Sequence, residues 1–541
     1  MDTLAASPAD LTDTLLAVLR EALAVPDIDL DSGFYALGGD SLTAVKVVGA
    51  ARARGIPLTL RDLMVHQTPR AILGSSSLRA VPTATAEADL AAALPPLTAQ
   101  DLALVPEGVQ ELLPASALQT GMLYLCQTSG DPRLYHTLEG WEVCAPFDED
   151  VFRGAVAALG RRYAALRTSF DLGNFSAPAQ LIWEEADITV TVDRARTPVQ
   201  ARELVDDWCE NRAGLPFDWM IAPLLRCHVV TEPDSFHVVL ACHHAVLDGW
   251  SLSRLTVDLM VLYWAASAGR EARLPAVSRQ PQRDFLINEY VAASSSGAAA
   301  HWLAQVEDAV PLFDGPRPGT VANVEGRHVL ALGSALVTAM RSTARILSVS
   351  VKAIALAAHA RALGTWSGRE RDIVTGVVFP TRPETAGADL AVGLFLNTLP
   401  VRFTTVDDTW TGLARAAAAA EQEGAQHAAY PQALLVEQLG RPAFDVSFNF
   451  MDFRAYEELD RADSARGRGR WVKGKLSFPF CVNVDITGEE GQIRVSHDAS
   501  LVPSEAVRRY ADLLRQALTS LVAHPVSPAA EYLRTISEAA R

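Results

Sequence analysis

From residue 109 onward two kinds of apolar pattern alternate, and that alternation fixes the fold class. Short runs rich in β-branched and aliphatic side chains, at 188–192, 226–230, 237–242, 372–378, 446–450 and 493–497, have the length and composition of strands. Between them, 151–163, 199–212, 252–268, 334–347 and 504–522 space their apolar residues as helices do. Such interleaving predicts α/β layers rather than a helical bundle or a β-sandwich. Residues 274–282, with Pro275 and Pro281, predict the connection between two lobes, 109–275 and 276–527. No internal repeat of fixed period is visible.

The first 75 residues follow a different plan. Apolar residues at helical spacing from Leu11 to Arg20 end before Pro26. After an acidic loop, the helical pattern resumes from Leu42 to Ala53 until Gly55 and Pro57 break it, and a last short segment spans 68–73. This predicts a small all-α unit over 1–75. Residues 76–108, rich in Ser, Ala, Thr and Pro, read as a linker; if flexible, it has an r.m.s. span on the order of 30 Å. Residues 528–541 read as the start of a further linker.

A chain of 541 residues with 49% hydrophobic residues has material for several cores. Its formal net charge of −17 argues against nucleic acid as the main partner, because phosphate binding needs clustered positive charge. No apolar run reaches the roughly 20 residues of a membrane helix, and no signal-peptide pattern opens the chain. The six cysteines lack CxxC spacing, so neither a zinc site nor a disulfide framework is expected, and a cytoplasmic location is.

Two short segments concentrate chemistry. His243-His244-Ala245-Val246-Leu247-Asp248-Gly249 follows a strand-like run and delivers two imidazoles, a carboxylate and a glycine to one strand end. Adjacent residues of a strand point to opposite faces, so one imidazole can enter a cavity while the other packs into the framework. A neutral imidazole accepts a proton near neutral pH. The same residues also make an ordinary structural turn around a buried histidine. Gly38-Gly39-Asp40-Ser41 precedes a helix, where the free amides and the dipole favour a phosphate ester on Ser41; equally, Asp40 or Ser41 can simply cap that helix.

Residues 1–75 resemble a peptidyl carrier protein of nonribosomal peptide synthetases, on Asp31, Phe34 and Leu37-Gly38-Gly39-Asp40-Ser41-Leu42. That resemblance implies a 4′-phosphopantetheine arm on Ser41. Four further motifs, in order, resemble the condensation domains of the same enzymes. They are 113–123 (Leu-Pro-Ala-Ser-Ala-Leu-Gln-Thr-Gly-Met-Leu), 162–170 with Tyr163 where His is usual, 243–251, and 392–402 (Val-Gly-Leu-Phe-Leu-Asn-Thr-Leu-Pro-Val-Arg).

The resemblance implies a chloramphenicol acetyltransferase-like fold in each lobe and an acyltransferase that joins the acyl group of one carrier to the amine on another. His244 is then essential, as base or as positioning partner, and Gly249 stabilises the oxyanion or the thioester carbonyl. Asp248 is structural and pairs with Arg167 or Arg162, His243 belongs to the frame, and Asn397 packs the lobes or lines the tunnel. No metal is expected. Implied partners are neighbouring domains of one long synthetase, a downstream acceptor carrier and a phosphopantetheinyl transferase. Two other readings compete. An epimerase relative shares the histidine motif but continues with Val-Ser-Trp, against Trp250-Ser251-Leu252 here, and a noncatalytic platform recruits partner proteins. Leu118 to Leu123 and Leu247 resemble domains that accept D-configured donors, and a glycine donor reconciles this with a carrier joined directly to the condensation unit.

Overall fold

The computed structural model describes residues 8–75, 94, 97–211, 215–313, 325–369, 372–403, 409–453, 467–488 and 490–529. Helices Pro8–Leu23, Ser41–Ala53, Leu60–His66 and Pro69–Gly74 enclose a small core of Leu15, Val18, Leu19, Val47, Val48, Leu63 and Ile72. The last two are short, and their first turns are fixed by caps. Thr59 and Asp62 form a reciprocal capping box, and Thr68 caps a helix that starts with Pro69.

Most of the expected linker, 76–93 and 95–96, lies outside the described residues, as does 530–541 of the expected terminal linker. The end of the first stretch, 97–108, is described and contains a short helix. Helix Ala99–Leu104 opens with a Thr98–Asp101 capping box, and Asp101 also accepts the N–H (2.8 Å) and hydroxyl (2.7 Å) of Ser176. A Thr-x-x-Asp cap is a local signal that the Ala- and Pro-rich composition hides. At the other end, Pro528 bridges Thr409 and Ala529 is buried.

The strands are β1 (Val109–Pro114), β2 (His136–Val143), β3 (Thr168–Asp171), β4 (Ala179–Trp183), β5 (Thr189–Arg194), β6 (Leu225–Thr231), β7 (Phe236–His243), β8 (Glu325–Ala331), β9 (Ile373–Pro380), β10 (Leu396–Phe403), β11 (Val446–Met451), β12 (Gly467–Gly474), β13 (Phe480–Asp485) and β14 (Gln492–Asp498). They form three sheets, of orders β12-β2-β7-β6-β5, β1-β4-β3 and β10-β9-β11-β13-β14-β8. The expected α/β layering is therefore present in both lobes. In the second lobe, helix Val351–Ser367 is buried on nearly every side between the six-stranded sheet and helix Ser504–Ala523. Its Ala-rich sequence allows that close approach. His359 sits in this core, with Nδ1 2.5 Å from the Tyr510 hydroxyl and Nε2 3.0 Å from that of Thr375.

One pairing crosses a division at residue 275. Strand β12 comes from the C-terminal half but runs antiparallel to β2, at the edge of the first lobe's sheet. Trp471 covers Gly140 there so closely that a Cβ at 140 would fall 2.3 Å from its ring. No single helix among the described residues is long and apolar enough to cross a membrane.

Candidate active site

Strand β7 lies in the middle of its sheet, paired on both sides, which explains its nearly continuous apolar sequence. It ends at His243, and the chain turns at once. The His244 N–H donates to the Tyr135 carbonyl (2.7 Å), and the Val246 N–H to that of His243 (3.2 Å). The two imidazoles therefore part company. His243 is buried against His136, Phe217 and Cys126, with Nε2 3.4 Å from the Cys126 sulfur, and its Nδ1 accepts the Ala245 N–H at 3.2 Å. An accepting Nδ1 is unprotonated, and burial, with His136 and His244 adjacent, pushes the His243 pKa down to about 3. His244 faces the cavity between the lobes. Burial lowers its pKa, opposed by its own backbone, the Asp248 carboxylate and the Leu247 backbone, and its Nδ1 has no hydrogen-bond partner.

Helix Gly249–Ser267 starts three residues before the expected Leu252, which makes Asp248 its N-cap. Oδ1 of Asp248 accepts the Ser251 N–H at 2.6 Å, and Oδ2 accepts the Phe395 N–H at 3.0 Å. The arginine that pairs with it is Arg382, not Arg162 or Arg167. Nη2 of Arg382 lies 3.1 and 3.2 Å from the two carboxylate oxygens and 3.0 Å from the Ser251 hydroxyl, and Nη1 donates to the Ala388 (3.2 Å) and Ala391 (2.6 Å) carbonyls. The two expected arginines are spent elsewhere. Arg162 reaches Asp258 (3.7 Å) and the Pro275 carbonyl, while Arg167 bonds the Gly160 carbonyl (3.0 Å), the Trp183 and Glu184 carbonyls and the Gln110 side chain. Gly249 is the first helical residue, so its N–H has no acceptor within the helix. It lines the cavity, where Phe453 would stand 3.2 Å from a Cβ at 249.

The cavity, about 1060 Å³, extends beyond the lobes. His244, Leu247, Asp248, Gly249 and Trp250 border one part of it, and Tyr35, Gly38, Gly39 and Asp40 of the N-terminal helical unit border another. Ser41 is the next residue, the first of helix Ser41–Ala53.

Comparison with known proteins gives the family. Residues 109–541 match the condensation domain model, and residues 13–74 match that of a phosphopantetheine attachment site. The chain belongs to the condensation-domain family of nonribosomal peptide synthetases. Its relatives include the AMB antimetabolite synthetase AmbE of Pseudomonas aeruginosa, 32% identical over 97% of this chain, and tyrocidine synthase 3 of Brevibacillus parabrevis, 27% identical over 96%. The chain spans only 25% and 8% of those proteins. Among solved structures, the condensation domain of the Monacolin K polyketide synthase MokA matches with a TM-score of 0.66 at 18% identity, covering 78% of this chain and all of that one. The X-domain from teicoplanin biosynthesis, in complex with OxyB, matches at 0.61 and 19%, covering 81% and 98%. At such identities the structures establish only the fold of the two-lobed acetyltransferase-like unit, while the helical region before it is matched by the phosphopantetheine attachment site model.

Elsewhere in this condensation domain, Asn397 is buried at the cavity wall. Its amide donates to the carbonyls of Ala428 (3.0 Å) and Tyr430 (2.7 Å), so it braces one turn of the second lobe rather than the contact between lobes. Tyr163, at the position where the family has histidine, donates to Asp258, which also binds Arg254. His228, His359 and His497 are buried. One group of possible metal ligands occurs among the described residues, Glu142, Glu232 and His237, none of which borders the cavity.

The sequence reading missed three residues of the site: Arg382, Ser251 and Glu289. Arg382 lies 134 residues from its partner, and a lone arginine after a strand carries no signal. Ser251 offered more, since its hydroxyl donates to the Gly393 carbonyl (2.7 Å) and accepts the Gly393 N–H (3.0 Å), joining two motifs read separately. Glu289 borders the cavity and accepts the Ala117 N–H at 2.9 Å; burial raises its pKa to about 7.

Proposed function

We propose that this chain forms amide bonds by transferring an acyl group from its own carrier unit to an amine on a second, downstream carrier. One observation carries the reading: a single cavity is bordered both by Gly38, Gly39 and Asp40 of the carrier and by His244 and Gly249 of the condensation domain. Ser41 follows Asp40 directly in the chain, so the residues that border the cavity fit a 4′-phosphopantetheine arm attached next to them. When attached, the arm supplies the acyl group as a thioester on a long tether.

The protein's own groups divide the remaining work. His244, kept neutral by burial, accepts the proton or hydrogen bond of the attacking amine. The Gly249 N–H, at the positive end of a helix, donates to the carbonyl oxygen as negative charge builds on it. Asp248 and Arg382 hold that amide in place, and His243 holds the turn. Confinement of both reactants in one cavity lowers the entropic barrier. A phosphopantetheinyl transferase loads Ser41, and Ser41→Ala is expected to remove the corresponding mass gain. Six free cysteines support a reducing, cytoplasmic setting.

Loading this carrier and a separate acceptor carrier, then following dipeptidyl product by mass spectrometry, tests the reading. Product is expected from the wild type and none from His244→Ala, whose circular dichroism stays unchanged. Wild-type rates in that variant would refute the assignment to His244. No product from the wild type, with partner binding retained, favours a recruitment platform. Donors loaded with glycine, a D-residue and an L-residue test the donor reading, and efficient transfer from the L-residue alone sinks it.

A further inference from the structure

The loop from Thr381 to Phe395, between β9 and β10, meets the carrier on one side and the catalytic turn on the other. On the carrier side, Arg52 Nη2 donates to Glu384 Oε2 at 2.6 Å and Nη1 to the Glu384 carbonyl at 3.2 Å. The Leu60 N–H, at the start of the carrier's third helix, donates to Glu384 Oε1 at 3.3 Å. Beside this anchor, Gly49 lies against Thr385. A Cβ at 49 would stand 2.7 Å from the Thr385 carbonyl oxygen and 3.4 Å from the Ala386 Cα, both backbone atoms that have little room to give. On the inner side, Arg382 holds Asp248, and the Asp389 carbonyl accepts the Trp250 indole N–H at 2.7 Å.

Gly49 is informative because it sits inside helix Ser41–Ala53, where glycine weakens a helix. The three atoms nearest to a Cβ built there all belong to the condensation domain, so the carrier's own packing does not account for the glycine. A small residue at 49 and a guanidinium one turn later together match the backbone and the carboxylate of this loop.

We propose that Glu384, Thr385 and Ala386 form a docking platform selective for a donor carrier whose second helix presents Gly-x-x-Arg. Carriers with a larger residue at 49, or an acidic one at 52, are disfavoured, the first by a clash with backbone and the second by like charge. The proposal rests on the reading of the Ser41 carrier as donor. It also places carrier recognition two residues from Arg382 on one backbone, so the seat of the carrier and the catalytic turn are held by a common loop.

The test uses the full holo chain, with the donor on Ser41 and the acceptor on a separate loaded carrier, in single-turnover transfer. A soluble aminoacyl thioester replaces the Ser41-borne donor as control. Arg52→Glu and Glu384→Arg are each expected to slow carrier-borne transfer roughly fivefold to tenfold, and the double variant to return it to within about threefold of wild type. Gly49→Ala is expected to slow it similarly while the carrier's melting temperature holds or rises. Transfer from the soluble donor stays at the wild-type rate throughout. A double variant no faster than the single variants overturns the proposal, as does Gly49→Ala transferring at the wild-type rate. A wild-type chain that uses the soluble donor but never the Ser41-borne one sinks the donor reading instead, and the platform with it.

Discussion

Replacing Arg382 by methionine puts the turn from His243 to Gly249 under direct test. The side chain is almost fully buried and makes five hydrogen bonds, to the Ala388 and Ala391 carbonyls, both oxygens of Asp248 and the Ser251 hydroxyl. Methionine fills much of the same volume and donates nothing. Asp248 would keep two amide donors, Ser251 and Phe395, but lose its counter-charge in a buried site. Removing one partner of a buried ion pair costs roughly 3–5 kcal/mol. At about 1.4 kcal/mol per factor of ten, local opening becomes at least about a hundredfold more frequent. Amide hydrogen exchange reads this site by site. Ser251 and Phe395 should exchange at least about a hundredfold faster, while Val482, in the centre of the six-stranded sheet, stays protected. On the role proposed for the Gly249 amide, its shift with the turn should lower kcat roughly a hundredfold, the scale of losing an oxyanion donor. Asp248→Asn combined with Arg382→Met leaves no stranded charge, so it should be better protected than Arg382→Met alone. Unchanged exchange at Ser251 and Phe395 in the single variant, or a double variant as exposed as the two singles added, would show that the pair does not hold the turn.

Three further outcomes follow from the buried groups. An unfolded histidine takes up its proton near pH 6.5, but His243 and His359 resist until about pH 3, so between these values the unfolded chain binds more protons and stability falls as the pH is lowered. At pH 5 each should cost about 2 kcal/mol relative to pH 7, seen as a lower denaturation midpoint; a smaller drop in the double variant His243→Gln, His359→Gln than in wild type, between those pH values, confirms their share, and a drop as large as in wild type contradicts it. His244 also has a lowered pKa, so once the titration of the attacking amine is divided out, single-turnover transfer should show no further loss down to pH 6.5, whereas a second ionisation of the enzyme at pH 6.5 or above argues against a neutral buried imidazole. Tyr163→Phe deletes a buried donor to Asp258 and should cost about 1–2 kcal/mol in chemical denaturation, with no cost at all contradicting the observed pair.

The placement of the candidate site residues was legible where it is local. The spacing from His243 to Gly249 placed two imidazoles on different sides of one strand end, and the Gly-Gly-Asp-Ser segment placed Ser41 at a helix start. Fold class was legible for a similar reason, because each strand or helix writes its own period into its own residues. What stayed hidden is set by contacts distant in sequence. Nothing near Asp248 names Arg382, and the Arg162 and Arg167 of a neighbouring motif offered closer candidates whose donors are in fact consumed by backbone carbonyls and Asp258. Glu289 gave no sign either, since its raised pKa comes from burial rather than from neighbours in sequence. The Thr98–Asp101 cap was readable but lay in a stretch whose overall composition argued for a linker.

The edge position of β12 has a consequence for synthesis and for engineering. The first lobe's sheet gains its last strand only when residue 474 is available, long after β2 has left the ribosome, so a nascent first lobe waits with β2 exposed along one edge. Exchange of lobes between synthetases at residue 275 would separate Gly140 from the Trp471 that covers it. A cut that carries 467–474 together with the first lobe's own β2, or that swaps both as a pair, preserves this seam. The clasp between the lobes is thus a unit of inheritance that no boundary drawn along the chain can isolate.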